Sequence, residues 1–401
     1  MDELSLFTQA LGLAKPWNVV EVVFSKDTGR LDLQIDFPRG ATFLCPTCGK
    51  GDCPVHDTKE RTWRHLNFFQ YETYIHARVP RTDCATCGVV QVEVPWARPG
   101  SGFTLLFEML VLQFSREMSV DAVAKTVHTG ANRIWRILQR YVDRARRKVD
   151  LSGFHVLGID EFSVRKGHDY MTAFSDIDAA RIVHVAETRE HTAIREFTDE
   201  MKSRGYPLAD IRLVCCDMWD PYLLGLSRYL PHTNVVFDRF HIMKKMNAAV
   251  DDVRRQEQKQ VPGLKRSRFI WLKNPCNLTD RQSAVLMNLK KLDLKTARAY
   301  QLKLALARFW EITSLPEATR YLRKWCSWAL RSRLPQVIMM ARTIRSRWQG
   351  VINYTLARIS NGVVEGLNSK IKTAMKRAYG FKSPSYLKTI VYLVAGKLCF
   401  D

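Results

Sequence analysis

Two Cys-x-x-Cys pairs in the first hundred residues constrain the fold of this chain more than any other feature. Cys45-Pro-Thr-Cys48 and Cys84-Ala-Thr-Cys87 are each followed directly by glycine. A glycine there permits the tight turn that brings two thiolates onto one ion. Four thiolates form a closed, tetrahedral zinc site of the structural kind. We therefore predict one structural Zn²⁺, bound by these four cysteines.

A second set of ligands competes with this one. Cys53 and His56 follow the first pair closely, so Cys45, Cys48, Cys53 and His56 could also bind one zinc ion. Disulfide frameworks are typical of short secreted chains, whereas this chain has 401 residues. Reduced cysteines without a metal are the third interpretation of the cluster.

The residues before the first pair have the period of half-buried strands. Apolar and polar side chains alternate in VVEVVFS and RLDLQIDF, between residues 17 and 44. Such alternation is typical of strands with one buried face. We therefore predict a β-rich zinc-ribbon domain over residues 1–100.

The next segment changes to helical periodicity. Two short predicted helices flank a break at His128-Thr-Gly130, and a glycine-containing turn between two helices is the helix-turn-helix pattern. In the second helix Arg133, Arg136 and Arg140 form a basic stripe opposite an apolar one, so the basic stripe can face DNA. We predict a DNA-binding domain over residues 101–150. An ordinary helical hairpin that packs the domains together is the alternative.

The rest of the chain is predicted to be a layered α/β sheet followed by helices. Its elements run strand, strand, strand, helix, strand, helix, strand, which is typical of that architecture. The strands are FHVLGIDEFSV, DYMTAFSDID, ARIVHVAET, IRLVCCD and NVVFD, and the helices are 191–204, 219–229 and 239–258. Residues 263–350 are predicted to be continuous helix with basic faces.

Two of these strands end in an acid. Asp160 closes HVLGID and Asp217 closes LVCCD, and this fold would place the two strands side by side. Carboxylates at strand ends of an open α/β sheet project into the crevice where such folds bind ligands. Each aspartate alone has a simpler explanation as a turn or helix cap; for Asp217, the helix after Met218 offers that role.

A third acid is predicted on a helix near the C-terminus. Asn361, Glu365, Asn368 and Lys372 are spaced 4, 3 and 4 residues apart and so share one helix face. The opposite face is apolar and consists of Val364, Leu367, Ile371 and Met375. The alternative role for Glu365 is a surface ion pair with Lys370 or Lys372.

Three carboxylates in this order suit a pair of divalent ions. Mg²⁺ prefers hard oxygen ligands and takes one or two protein carboxylates together with water and substrate phosphate oxygens. Two such ions, roughly 3.5 to 4 Å apart, activate the attacking oxygen and stabilise the leaving oxygen of an in-line displacement. We predict Mg²⁺ or Mn²⁺, two ions per active site, held by Asp160, Asp217 and Glu365.

Four blocks of the sequence carry a family resemblance that covers nearly the whole chain. HVLGIDEFSVRKGHDYMTAFSDID, VCCDMWDPY, VVFDRFHIMKKMNAAVDDVRR and SNGVVEGLNSKIKTAMKRAYGF resemble successive blocks of the DDE insertion-sequence transposases of the ISL-three family, which also begin with a zinc ribbon and a helix-turn-helix. The blocks place the family's Asp, Asp and Glu at Asp160, Asp217 and Glu365. The resemblance implies hydrolysis at the element's inverted-repeat ends to give a 3′-hydroxyl, then attack of that hydroxyl on target DNA.

The resemblance also implies a multidomain α/β organisation with an RNase-H-like mixed sheet. The expected parts are the ribbon (1–100), the helix-turn-helix (101–150), the first part of the catalytic domain (151–262), an α-helical insertion (263–350) and the C-terminal part (351–401). Asp238 and His241 are similar to an Asp-x-x-His element beside the centre of related transposases. His241 could instead cap or brace its helix.

The net charge of +22 is concentrated in the last part of the chain. Residues 1–250 contain 32 Lys and Arg against 31 Asp and Glu, whereas residues 251–401 contain 30 against 9. Such an excess is expected for a polyanion partner, and Lys372 lies in this segment; a solvated basic surface is the alternative. No apolar run reaches the roughly 20 residues that a bilayer requires, so we expect a cytoplasmic, nucleoid-associated bacterial protein without a membrane partner.

Double-stranded DNA, as element ends and as target, is therefore the expected partner. Because two ends must be held at once, we expect a homodimer or higher oligomer on DNA. Two other functions remain open: a zinc-ribbon and helix-turn-helix regulator whose RNase-H-like domain is inactive, and a nuclease that cuts without strand transfer.

Overall fold

The protein is described by a computed structural model that covers residues 2–164, 170–290, 292–359 and 362–400. The chain forms two compact units, Met1–Arg140 and Tyr141–Asp401. The five-part division expected above stays a prediction. None of the helices in the covered ranges has the length and apolar composition needed to cross a bilayer.

A six-stranded sheet organises the first unit. Its strands follow the order β1-β2-β5-β4-β3, with β6 paired to β5. In β2 every second residue is buried, as the alternation predicts, because one face covers a core that contains Trp17, Trp63 and Trp96. The elements are α1 (Glu3–Ala10), β1 (Asn18–Ser25), β2 (Arg30–Asp36), β3 (Thr42–Phe43), β4 (Cys53–Arg64), β5 (Glu72–Cys84) and β6 (Gly88–Gln91).

Three helices follow this sheet, α2 (Leu105–Glu117), α3 (Val120–Thr126) and α4 (Ala131–Lys148). Thr104 and Ser119 cap α2 and α3 with their hydroxyl oxygens, which satisfies backbone donors that a helix N-terminus leaves free. The predicted break between α3 and α4 is present. The second helix was predicted to be short but has 18 residues.

A five-stranded mixed sheet forms the centre of the second unit, in the order β11-β10-β7-β8-β9. β7, β8 and β9 are antiparallel neighbours, β10 pairs with β7 in parallel, and β11 pairs with β10 in parallel. This is an RNase-H-like sheet. Its strands are β7 (Val156–Ser163), β8 (Tyr170–Asp176), β9 (Arg181–Ala186), β10 (Leu213–Cys216) and β11 (Asn234–Phe237).

Helices of the second unit cover both faces of this sheet. On one face Leu157 and Ile159 join the main core, which Ile194 and Phe197 of α5 complete. On the other face Val364 of α15 packs with Cys215. The helices flanking the strands are α5 (His191–Ser203), α6 (Asp220–Tyr229), α7 (Arg239–Glu257), α15 (Gly362–Ala378) and α16 (Pro384–Ala395).

The prediction of one continuous helix over residues 263–350 is wrong, although the described residues of this range contain no strand. Pro316 and Pro335 lie at the starts of separate helices, because proline lacks the N–H that a helix interior requires. The helices that lie between α7 and α15 are α8 (Arg268–Leu272), α9 (Asp280–Lys290), α10 (Lys295–Phe309), α11 (Leu315–Leu330), α12 (Pro335–Ser346), α13 (Trp348–Ile352) and α14 (Tyr354–Ala357).

Candidate functional site

The four cysteines of the two Cys-x-x-Cys pairs form one cluster. The sulfur atoms of Cys45, Cys48, Cys84 and Cys87 all lie within 4.8 Å of one another, and 3.6 Å separates Cys48 Sγ from Cys84 Sγ. A tetrahedral zinc ion with Zn–S bonds of about 2.3 Å places its sulfurs about 3.8 Å apart. The cluster therefore fits one zinc ion with four thiolate ligands.

Backbone N–H groups near the second pair favour the thiolate form of Cys84. The backbone N–H groups of Thr86 and Cys87 lower the pKa of Cys84 to about 6, since donors near a sulfur favour its charged form. Gly49 and Gly88 follow the pairs with φ of 72° and 70°, the left-handed conformation that glycine adopts without strain. The predicted turn glycines are thus present.

The competing zinc set does not assemble. His56 is exposed and pairs with Asp57 at 3.2 Å, and the thiol of Cys53 lies 3.5 Å from the carbonyl oxygen of Lys50. Cys53 is buried beside the cluster but is not one of the four sulfurs. The structure therefore favours the ligand set of the two Cys-x-x-Cys pairs over the competing set.

The basic stripe of α4 lies on the accessible side of that helix. Arg133, Arg136 and Arg140 are exposed, whereas Ile134 and Ile137 on the opposite side are buried. Arg133 and Arg136 also line a cavity of 470 Å³ within the first unit, together with Arg64, Arg98 and His128. This cavity is a cationic recess next to the start of α4.

Within that recess, the acids neutralise only part of the charge. Glu72 pairs with His128 at 2.6 Å, and Glu108 pairs with Arg98 at 2.9 Å. Among the described residues, no ion pair is formed by Arg133 or Arg136. Their charges are available to an anion.

Three aspartates lie at the same level on three neighbouring strands of the second unit. Gly158 of β7 pairs with Cys215 of β10, and Cys215 pairs in turn with β11. Asp160, Asp217 and Asp238 each lie two residues beyond this row of paired residues. Because neighbouring strands are about 4.8 Å apart, the register brings the three acids into one row.

The three aspartates also share one face of the sheet. Side chains alternate along a strand, so Asp160 points to the same side as Gly158, and Asp217 to the same side as Cys215. That side carries α15, because Val364 packs with Cys215 there. The face opposite holds Glu161, whose carboxylate accepts a hydrogen bond of 3.0 Å from Tyr222 of α6.

Charges around the row act on one another. Burial raises the pKa of Asp160, the charge of Asp238 adds to the increase, and Lys372 and His241 oppose it. The pKa of His241 is raised because its Nδ1 bonds Asp238 Oδ2 at 2.5 Å. The predicted accessory pair and Lys372 therefore lie within electrostatic reach of Asp160.

The predicted alternative roles of the single acids are only partly present. Asp217 Oδ1 accepts the N–H of Met218 at 2.6 Å, but Trp219 is the N-cap of α6. Asp238 does cap its helix, since its Oδ1 accepts the N–H of Phe240. Within the described residues, Glu365 forms no ion pair with a lysine.

Glu365 lies in the first turn of α15 and is exposed. Together with Asp238 it lines a cavity of 660 Å³ that helices from residues 263–357 partly enclose. In the described part of the chain, the four cysteines are the only group of three or more potential ligands within 4.8 Å of one another. Among the described residues, the acids therefore form no closed ligand cluster. Asn361 lies outside the described residues.

The sequence did not predict the roles of two residues that lie beside these acids. Asn368 Nδ2 donates to Asp160 Oδ2 at 2.6 Å, although the helix-face pattern had grouped it with Glu365. Gly158 lies where α15 comes close to β7: a Cβ there would lie 2.9 Å from Val364 Cγ2. A single glycine inside a buried strand is the signal that indicates such a close approach.

A zinc ribbon, a helix-turn-helix and an RNase-H-like sheet with a row of acids define a DNA-transferring enzyme of the transposase class. Sequence profiles agree in all three parts: a zinc-finger of transposases IS204, IS1001, IS1096 and IS1165 matches residues 41–87, a helix-turn-helix domain of transposase family ISL3 matches 92–142, and an ISL3 transposase profile matches 157–391. The chain belongs to the ISL3 family of transposases.

Individual relatives match over almost their full length. The transposase for insertion sequence element IS1557 of Mycobacterium tuberculosis is 29% identical over 434 residues, which cover 98% of this chain and 96% of that protein. The transposase for insertion sequence element IS1001 of Bordetella parapertussis is 26% identical over 388 residues, which cover 94% of this chain and 95% of that protein. The resemblance stated from the sequence is confirmed.

Proposed function

We propose that this transposase binds the inverted-repeat ends of an insertion sequence, cleaves them to a 3′-hydroxyl and joins that hydroxyl to target DNA. One observation carries the proposal: Asp160 and Asp217 lie in one row on the sheet face that α15, the helix of Glu365, also covers. This arrangement supports a single centre built from residues far apart in the chain. The inverted repeats themselves lie in DNA outside the gene.

The donor set fits magnesium or manganese. Asp160, Asp217 and Glu365 offer hard carboxylate oxygens, and an open centre leaves room for water and phosphate oxygens, which Mg²⁺ keeps as ligands. Two bound ions would supply activation of the attacking oxygen and stabilisation of the leaving oxygen. The residues named here would hold those ions.

Asp238 and His241 serve this centre as an accessory pair in our proposal. The hydrogen bond between them raises the pKa of His241, so the imidazole keeps its proton to a higher pH than a free histidine. A protonated imidazole offsets part of the negative charge of the aspartate row. His241 would thereby let a phosphate approach when the ions are bound.

Contacts to the DNA backbone would come from two basic surfaces. Arg133, Arg136 and Arg140 present exposed charge on α4, and the recess beside them suits a backbone phosphate. In the second unit, residues 151–250 hold 12 Lys and Arg against 14 Asp and Glu. Positive charge in this unit comes from the helices of residues 263–350 and from α15, which contains Lys372.

Conservative changes of the three acids test the catalytic proposal. Asp160→Asn, Asp217→Asn and Glu365→Gln should each abolish cleavage of a labelled end in Mg²⁺ or Mn²⁺, while end binding stays nearly unchanged. Asp178→Asn and Glu317→Gln, two exposed acids of the same unit, are the matched controls and should cut normally. A variant of the three that cuts at the wild-type rate is wrongly assigned.

The same assay separates the competing functions. Joining of the labelled 3′-end to a target duplex supports a transposase, whereas cutting without joining indicates a nuclease. Binding without either activity indicates a regulator. Sedimentation of the protein with one and with two end duplexes tests the expected dimer, which should hold two ends.

Arginine changes in α4 test the binding surface. Each phosphate contact changes the slope of log K against log salt by about 0.9, so Arg133→Ala with Arg136→Ala should weaken end binding and reduce that slope by about 2. Arg39→Ala, at an exposed residue of the same unit, should leave the slope unchanged. An unchanged slope in the double variant would mean that Arg133 and Arg136 are solvated surface residues that do not contact DNA.

A further inference from the structure

Asn368 is a buried amide between two parts of the proposed active site. Its side chain is only 5% exposed, and its Nδ2 donates a hydrogen bond of 2.6 Å to Asp160 Oδ2. The two residues are 208 positions apart. This hydrogen bond joins α15 to the aspartate row.

The contact fixes the direction of the Asp160 carboxylate. Oδ1 already accepts the N–H of Glu161 at 2.8 Å, and Asn368 holds Oδ2. A carboxylate can accept about four hydrogen bonds, so each oxygen keeps capacity for a metal ion. The carboxylate is thus held in one orientation before any ion arrives.

The same contact sets the position of Glu365. Glu365 and Lys372 lie three residues before and four residues after Asn368, on one face of α15. Next to them, Val364 packs close to Gly158. Any displacement of Asn368 from Asp160 would therefore move the third carboxylate as well.

The buried amide of Asn368 has an energetic cost that packing alone does not explain. Asn368 Oδ1 is buried and has no hydrogen-bond partner among the described residues, and buried polar atoms without partners are unusual in folded proteins. An apolar side chain of similar size would fill the space without that cost. The hydrogen bond to Asp160 is what leucine could not supply.

We propose that Asn368 is a positioning residue of the metal centre, which orients Asp160 and registers Glu365 against it. This inference rests on the proposed function. Residues that hold a metal ligand by hydrogen bonds commonly change metal affinity or activity by about 10- to 100-fold when replaced. Asn368 acts through Asp160 and is not itself a reacting group.

The test compares Asn368→Leu with Asn353→Leu. Asn353 is also a buried amide of the second unit, but its Nδ2 donates to the backbone carbonyl of Val235 at 2.8 Å. Mn²⁺ affinity is measured by electron paramagnetic resonance of the zinc-loaded protein, and Tm by thermal unfolding. Cleavage is then followed as a function of Mn²⁺ concentration.

Asn368→Leu should weaken Mn²⁺ binding by about 10-fold or more and shift the Mn²⁺ requirement for cleavage upward, with a Tm close to that of the wild type. Asn353→Leu should lower Tm and leave Mn²⁺ affinity unchanged. Wild-type Mn²⁺ affinity in Asn368→Leu, or an equal loss in Asn353→Leu, would overturn the inference.

Failure of the proposed function would look different. If the wild-type protein binds no Mn²⁺ at this centre, or if Asp160→Asn binds it as well as the wild type, the metal centre itself is wrong and the inference falls with it. If wild type and Asp160→Asn behave as proposed and Asn368→Leu binds normally, only the role of Asn368 is wrong.

Discussion

The two candidate metal centres of this protein are built in opposite ways. The four sulfurs of the cysteine cluster lie within 4.8 Å of one another, and both pairs come from turns between neighbouring strands. The carboxylates come from β7, from the residue that follows β10 and from α15, and they form no such closed group among the described residues. The cysteine site is closed by local backbone geometry, whereas the proposed carboxylate centre would be assembled by tertiary packing.

This difference matches what each ion has to do. A structural zinc ion needs four protein ligands and no open position, so its site can be complete in itself. An ion that must bind substrate phosphate needs free positions, and Mg²⁺ retains water for them. We therefore expect loss of the first centre to appear in folding and loss of the second to appear in chemistry.

The largest effect should follow from breaking the closed centre. Cys87→Ser, or Cys48→Ser, should release the zinc and unfold the ribbon, because structural zinc sites in small domains contribute about 10–16 kcal/mol of binding free energy to folding. Elemental analysis should find one zinc per wild-type chain and none in the variant. Loss of end binding should accompany the loss of zinc.

Cys53→Ser is the matched control for this experiment. Cys53 is buried beside the cluster but is not among the four ligands, so the variant should keep one zinc per chain. Zinc lost from Cys53→Ser and retained in Cys87→Ser would instead support the competing ligand set.

Removal of Mg²⁺ by a chelator too weak to extract zinc should stop cleavage without any change in circular dichroism.

A middle-sized effect should follow from disturbing the packing that assembles the open centre. Gly158→Ala places a Cβ against Ser175 Oγ of β8 and 2.9 Å from Val364 Cγ2 of α15, so both neighbours must shift, and such overpacking costs about 1–3 kcal/mol. Chemical denaturation should show the loss of stability, and cleavage should fall with it. The zinc content should not change.

Gly366→Ala, in the same helix, should have the opposite sign. No atom lies within 4 Å of a Cβ at Gly366, and alanine is favoured over glycine inside a helix by about 0.5–1 kcal/mol. If Gly366→Ala is stabilised and Gly158→Ala is destabilised, then crowding at Gly158, rather than the helix propensity of α15, limits stability and cleavage. Equal effects of both variants would contradict that view.

The same contrast explains how much could be predicted from the sequence. The zinc ligands were visible because spacing and turn glycines act within a few residues. Asp160 and Asp217 were visible because each follows a run of apolar residues that predicts a strand; Asp217 does follow β10, whereas β7 continues past Asp160 to Ser163. The contact of Asn368 with Asp160 could not be predicted from the sequence, because the two residues are 208 positions apart and meet only through the packing of α15 on β7. Two of the breaks in residues 263–350 are indicated by Pro316 and Pro335, which lie at the starts of α11 and α12.

The smallest expected effect is a change in Tm caused by Asp160→Asn. Its sign distinguishes a carboxylate placed for chemistry from one that stabilises the fold. Burial and the charge of Asp238 raise the pKa of Asp160, so the ionised carboxylate is less favourable in the folded protein than in the unfolded chain. Asp160→Asn removes that charge. Without divalent metal at neutral pH, this variant should therefore have a Tm slightly above that of the wild type, by about 2–4 °C for each kcal/mol gained.

The sign of this shift should depend on pH and on metal. Because the pKa of Asp160 is raised by folding, the penalty is complete above the folded pKa and disappears below the pKa of the unfolded chain, so the advantage of Asp160→Asn should vanish as the pH is lowered through that range. Saturating Mg²⁺ stabilises a protein that binds it by about 2.7 kcal/mol at 100 times Kd, so the wild type should then be the more stable. Thermal unfolding of both proteins and of Asp178→Asn, with and without Mg²⁺, measures this. A metal-free Asp160→Asn that melts below the wild type would mean that Asp160 holds the fold together as the cysteines do, and the distinction between a structural and a chemical centre would fail.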